Sequence, residues 1–130
     1  MTENKKIAAI AERWIKPYRC DGLTRVTKQL DEKFGPMDEG KWPKYLFLAD
    51  GVVYKAKALG APGWGPSFDW LREWEPFINN DDAIELMAQM DLVTVTRQEG
   101  VWVAEGAAKQ CIGDTFSMTV AGLALSILGL

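Results

Sequence analysis

Apolar residues recur at helical spacing in four stretches, and each stretch carries its own start and stop signals. Over residues 2–15, Ile7, Ile10 and Trp14 share one face with Ala11 and Ile15 beside them, the repeat of an amphipathic helix. Thr2 or Asn4 is placed to cap it, Glu3 suits the first turn, and Pro17 stops it, because the residue before proline avoids the α region. Over residues 21–34 the stripe is Leu23, Val26, Leu30 and Phe34, with Asp21 as cap and Gly35-Pro36 as stop, the order expected at a helix end. A third helix runs from Asn79 or Asn80 to about Met90. Asp81 and Asp82 lie in its first turn, where the helix dipole favours anions, and Ala83, Ile84, Met87 and Met90 form its expected buried face. The fourth starts at Asp114 or Thr115 and reaches about Leu128. It is apolar nearly all round, which predicts burial on more than one side.

Between these stretches the period changes to two. Residues 45–49 and 52–56 flank Asp50-Gly51, and residues 92–97 and 101–105 flank Glu99-Gly100. An Asp-Gly pair between β-prone runs is a strong hairpin signal. Residues 109–112 add a third strand to the second hairpin. Residues 37–44 and 60–66 read as loops, and residues 67–78, rich in aromatics and broken by Pro76, read as mostly irregular. From residue 79 onward the order is therefore α-β-β-(β)-α. The pattern predicts an α+β fold: an antiparallel sheet with helices packed on it, a helix–sheet–helix sandwich, carrying an N-terminal helical extension. The expected organisation is a single domain over residues 1–130, with a helical N-terminal segment over 1–43 and the sandwich core over 79–130. Thr115, Thr119, Gly122 and Ser126 make a narrow stripe of small residues on the last helix. It fits either close packing on the sheet or a seam between two copies.

Several scattered residues bear on kinship. Trp64, Pro66, Asp69 and Trp70 are followed by Asn80-Asp81-Asp82-Ala83 leading into Leu86 and Met90. Val101-Trp102-Val103-Ala104-Glu105 comes next, then Gly113-Asp114-Thr115 opening an apolar terminal helix. This run, over about residues 64–130, resembles the phage ABA-sandwich domain, a family of small phage and prophage proteins of unknown function. The resemblance implies a helix–sheet–helix sandwich and a phage origin, and it brings no catalytic residues. The terminal helix departs from the family's usual pattern, which includes a charged residue, because residues 118–130 carry none.

Composition narrows the chemistry. The 130 residues are 48% hydrophobic and 25% charged with net charge −3, ordinary values for one globular domain with no global attraction to nucleic acid. Histidine is absent, so no imidazole base is available for a Ser-His-Asp or Cys-His system. Cys20 and Cys111 stand alone, without the Cys/His numbers of a zinc site or the framework of a secreted disulfide protein. Both are expected to be reduced. No P-loop run occurs, and in the glycine-rich stretch 60–66 prolines remove amide donors that a phosphate cradle would use. No cofactor and no metal are expected. Carboxylates near tryptophans leave a carboxylate-based hydrolase as the remaining enzymatic option. The N-terminal residues do not read as a signal peptide, and the uncharged run 115–130 is shorter than the ~20 apolar residues that span a bilayer. No membrane association is expected, and a cytoplasmic location in a bacterial host is.

Six tryptophans are present, and Trp42, Trp64, Trp70 and Trp74 fall in segments read as loops or loop edges. Tryptophan is a frequent interface hot spot. Either these rings pin loops onto the sheet, or they form a surface for a partner. The second option defines the candidate partner-binding set: Trp64, Trp70 and Trp74 as anchors, Arg72 as rim, and Asp69, Glu73, Glu75, Asp81 and Asp82 as steering charge. The leading expectation is a non-enzymatic phage or prophage accessory protein, monomer or homodimer, that binds a host or phage protein. An inhibitor of a host defence system is one such role. The alternative is a DNA-binding module. Residues 1–45 are net +3 and residues 46–130 net −6, so residues 5–57 could form a winged helix-turn-helix with Arg25 and Lys28 facing a groove.

Overall fold

A computed structural model describes residues 2–20, 26–36, 41–56 and 71–130. The chain is α+β and clusters into two units: Met1–Ile15 with Glu75–Leu130, and Lys16–Trp74. The helical stretch 1–43 is thus shared between them.

The first unit opens with helix α1 (Glu3–Ile10). Thr2 caps it by accepting the Lys5 N–H, and a π-helical turn over Ala11–Ile15 continues it. Ile7, Ile10 and Ala11 are buried. The helix over Val26–Phe34 (α2) lies in the other unit, and the next element of the first unit is α3 (Asn80–Gln89). Three antiparallel strands follow, β5 (Thr94–Gln98), β6 (Val101–Gly106) and β7 (Lys109–Gly113), and then helix α4 (Phe116–Leu128). Helix α4 lies along β6 and β7, while α3 and α1 pack against α4. The expected order α-β-β-β-α is present in full.

Small residues let α4 approach the sheet. A Cβ on Gly113 would stand 2.6 Å from Thr119 Oγ1, and one on Gly122 would stand 2.6 Å from Cys111 Sγ. Thr119 is fully buried, and its hydroxyl donates to the Thr115 carbonyl at 2.6 Å. The small-residue stripe therefore packs on the sheet. On α3 the buried residues are Asp82, Ala83 and Leu86, whereas Ile84 is 49% exposed. Of the expected face Ala83 and Met90 are buried and Met87 is half-buried, while Ile84 turns away from Ala83 by about 100°, one residue's rotation in a helix.

The second unit is a four-stranded sheet in the order β1-β2-β3-β4 with helix α2 (Val26–Phe34) against it. Strand β1 (Tyr18–Arg19) pairs in parallel with β2 (Tyr45–Phe47). Strands β2 and β3 (Val53–Ala56) form the expected hairpin. At its turn the Gly51 N–H donates to the Leu48 carbonyl, and Asp50 Oδ1 accepts the Val52 N–H. Gly51 sits at φ +81°, a backbone region that glycine enters at no steric cost. Strand β4 (Leu71–Glu73) pairs with β3, which corrects the irregular reading of that stretch. Three residues are too few for alternation to show in sequence, and the following Pro76 lies beyond the ladder. Cys20, Val26, Leu30, Leu46, Leu48 and Leu71 form the core, with Tyr18, Phe34, Trp42, Tyr54 and Ala56 packed on it.

Candidate interaction surface

The residues singled out from sequence do not converge on one exposed patch. Trp64, Asp69, Trp70 and Arg25 lie outside the described residues. Trp74, expected as an exposed anchor, is only 1% exposed. Its N–H donates to the Val53 carbonyl, and its ring meets Tyr45 edge-on at 6.1 Å. Alternation along β4 puts it on the side of Arg72, next to buried Val53, so it acts as a packing residue. Its Nε1 is buried without an acceptor among the described residues. Arg72 is half-buried, with Nη1 donating to the Glu73 carbonyl, and Glu73 is exposed.

Asp82 is also corrected from a steering charge to a structural one. It is fully buried. Its Oδ2 accepts the Glu75 N–H at 2.8 Å, while its own N–H donates to Asn79 Oδ1 at 3.0 Å. The Asn79 N–H in turn donates to the Glu75 carbonyl. These bonds fix the turn that leads into α3 and cap the helix, leaving Asp81 exposed in its first turn and Glu75 half-buried. Arg72, Glu73 and Trp74 thus fall in one unit, and Glu75, Asp81 and Asp82 in the other. Lys28 of the DNA-binding alternative is exposed and pairs loosely with Glu32 at 3.9 Å on the same helix. A winged helix-turn-helix needs α1 and α2 joined by a short turn. Here β1 intervenes, and the two helices belong to different units.

A different surface emerges from the register of β5–β7. Arg97 is opposite Trp102 and Gly113, Val95 opposite Ala104 and Cys111, and Gly106 opposite Lys109. Gly113 and Cys111 meet α4, so this set faces the helix. Within it the Arg97 guanidinium lies 5.7 Å from the Trp102 ring centroid, and Trp102 meets Phe116 edge-on at 5.5 Å. Burial also raises the Cys111 thiol pKa, the direction of a packed, unreactive cysteine.

The other face carries three rows across the strands: Thr94, Glu105 and Gln110; then Thr96, Val103 and Ile112; then Gln98 and Val101. Thr94, Thr96, Gln98, Glu105, Gln110 and Ile112 are all exposed, and Ile112 is 60% exposed. Gln110 Nε2 donates to Glu105 Oε1 at 2.9 Å across the outer row. Thr96, Val103 and Ile112 form a β-branched row across all three strands, in which Thr96 and Ile112 are exposed and the central Val103 is buried. Sequence reasoning missed this surface, because alternation alone does not say which face a helix takes. The available signal was the matching of small residues: Gly113 and Cys111 on the strand, Thr119 and Gly122 on the helix.

Among the described residues no group of three or more His, Cys, Asp or Glu side chains is placed to hold a metal ion, and no helix is long and apolar enough to cross a membrane. Compared with known proteins, the chain matches no family model, no curated protein and no solved structure.

Proposed function

We propose that the protein is a non-catalytic binding module that engages another protein through the outer face of β5–β7. The observation that carries this reading is the pair of exposed β-branched residues Thr96 and Ile112, Ile112 60% exposed, on either side of buried Val103 on a sheet whose helices lie on the opposite side. β-branched side chains on an ordered sheet give contact area at low entropy cost, since their χ1 is already restricted. The resemblance over residues 64–130 supports a phage or prophage accessory protein as the setting, with a host or phage protein as the partner.

The test is affinity capture from a bacterial lysate with three baits: the native chain, Ile112→Asp and Lys28→Glu. A protein held by the native chain and by Lys28→Glu but lost with Ile112→Asp supports the reading. Capture that survives Ile112→Asp and disappears with Lys28→Glu would move the surface to α2. Salt-sensitive retention on duplex DNA, lost with the same lysine substitution, would favour nucleic acid as the ligand.

A further inference from the structure

We infer that the free edge of β5 pairs with β5 of a second copy, antiparallel about a two-fold axis at Thr96, joining two three-stranded sheets into one of six strands. The inference does not depend on what the outer face binds. Strand order places β5 at one edge of its sheet, and an edge strand presents a row of unpaired backbone N–H and C=O groups. Four of its five residues, Thr94, Thr96, Arg97 and Gln98, are exposed and Val95 is half-buried, while α4 lies along β6 and β7.

The turn fixes which groups point outward. Glu99 and Gly100 both have positive φ, so this two-residue reversal closes on a hydrogen-bonded pair, Gln98 with Val101. Bonded and non-bonded pairs alternate along an antiparallel ladder. Thr96 and Thr94 therefore bond inward to Val103 and Glu105, and the N–H and C=O groups of Val95 and Arg97 point away from β6. Nothing in the strand blunts that edge. Residues 94–98 contain no proline, glycine or lysine, and each has a single partner on β6, so no bulge turns the edge aside. The one charge, Arg97, lies over Trp102 of its own sheet. The opposite edge, β7, begins at Lys109 and ends at Gly113.

Charge and register select a second copy as the occupant. With the axis at Thr96, Val95 of each copy exchanges its outward groups with Arg97 of the other. Thr96 then faces Thr96, and Thr94 faces Gln98. Threonine pairs are favourable cross-strand neighbours, and no like charges stand directly opposite. Both neighbouring registers are worse. An axis at Arg97 sets two guanidinium groups opposite each other, and an axis at Val95 brings Glu99 opposite Asp91 at the end of the ladder. A foreign strand would have to supply this uncharged pattern, whereas an identical chain carries it by symmetry.

The test is sedimentation of the full chain up to about 1 mM, the weak end of the affinity scale, which suits an interface of one short strand. We expect a concentration-dependent dimer. The unit formed by residues 1–15 and 75–130 holds ten acids and five bases, net −5, so association should strengthen as salt rises. Thr96→Lys sets like charges on the axis and should weaken the dimer at least about tenfold, with melting of the dilute protein unchanged. Ile112→Ser should leave the dimer intact. Cα atoms of a non-bonded pair are about 4.5 Å apart, within disulfide range. Oxidised glutathione should therefore cross-link Thr96→Cys into a dimer, and Gln98→Cys and the native chain should stay uncross-linked. A native chain that remains monomeric at about 1 mM, equal cross-linking of the two cysteine variants, or a dimer that Ile112→Ser dissociates and Thr96→Lys does not, would each overturn the inference. Lysate capture through Ile112 is read separately, so loss of the dimer leaves the docking face standing.

Discussion

The two sheets solve the same problem with opposite materials. The four-stranded sheet fills its α2 side with bulk: Leu46, Leu48 and Leu71 from the strands and Val26 and Leu30 from the helix. Its other side also holds buried residues, Val53 and Trp74. The three-stranded sheet instead removes bulk. Gly106, Gly113, Ala104 and Cys111 face the helix side, and α4 comes close enough that added Cβ atoms would collide. On its outer side Thr96 and Ile112 are exposed and Val103 between them is buried. Bulk packing tolerates small rearrangement, whereas close approach does not. The unit that exposes a face is therefore the one whose remaining face is most narrowly specified.

Substitutions test this contrast at different strengths. Trp74→Ala should cost the most, about 3–5 kcal/mol, read as a drop in denaturation midpoint with an unchanged slope. A loss below 1 kcal/mol would show that the ring is not a packing residue. Gly122→Val should cost about 1–3 kcal/mol by overpacking against Cys111. Adding Cys111→Ala should restore part of it, a coupling that a double-mutant cycle measures. Asp82→Ala strands the Glu75 N–H and the entry to α3, and about 1–3 kcal/mol should be lost. Ala107 and Ala108 form a two-residue turn with φ at 50° and 61°, where alanine carries a steric cost. Ala108→Gly should stabilise the protein by up to about 1 kcal/mol, and a lower melting temperature would contradict the strain.

The smallest effect is a pH dependence in the bulk-packed unit. Burial raises the Tyr54 pKa, and its hydrogen bond to Asp50 at 2.6 Å and that carboxylate's charge add to the rise, together pushing it from 10.0 up to about 12. Below pH 10 the phenol is protonated both folded and unfolded, so stability does not change there. Between about pH 10 and 12 the unfolded chain loses this proton first, so stability falls as pH rises. Tyr54→Phe should flatten part of that fall, measured by denaturation at each pH. An identical slope in the variant would remove Tyr54 as its source.

Local signals were legible wherever a cap, a turn and a period agree. Thr2, Asn79 and Thr115 each cap a helix as the sequence indicates. At Glu99-Gly100 both residues adopt positive φ, the tight reversal that the pair implies. Elements defined by a distant partner were not legible. Strand β1 has two residues and exists through pairing with β2, almost thirty positions later. The burial of Trp74 was hidden for a related reason: a tryptophan beside proline and acids reads as a loop edge until the ladder that holds it is known. The candidate surface depended on knowing which face α4 covers, a tertiary fact carried only faintly by the small residues on both sides.

The chain leaves the first unit after Ile15 and re-enters it at Glu75, which orders events during synthesis. Residues 16–74, which carry β1–β4 and α2, are synthesised before α3. The first fifteen residues must wait for α4, because α1 packs against it. The inserted unit is therefore complete in sequence before α3 is made, and the acidic unit closes only once α4 is available.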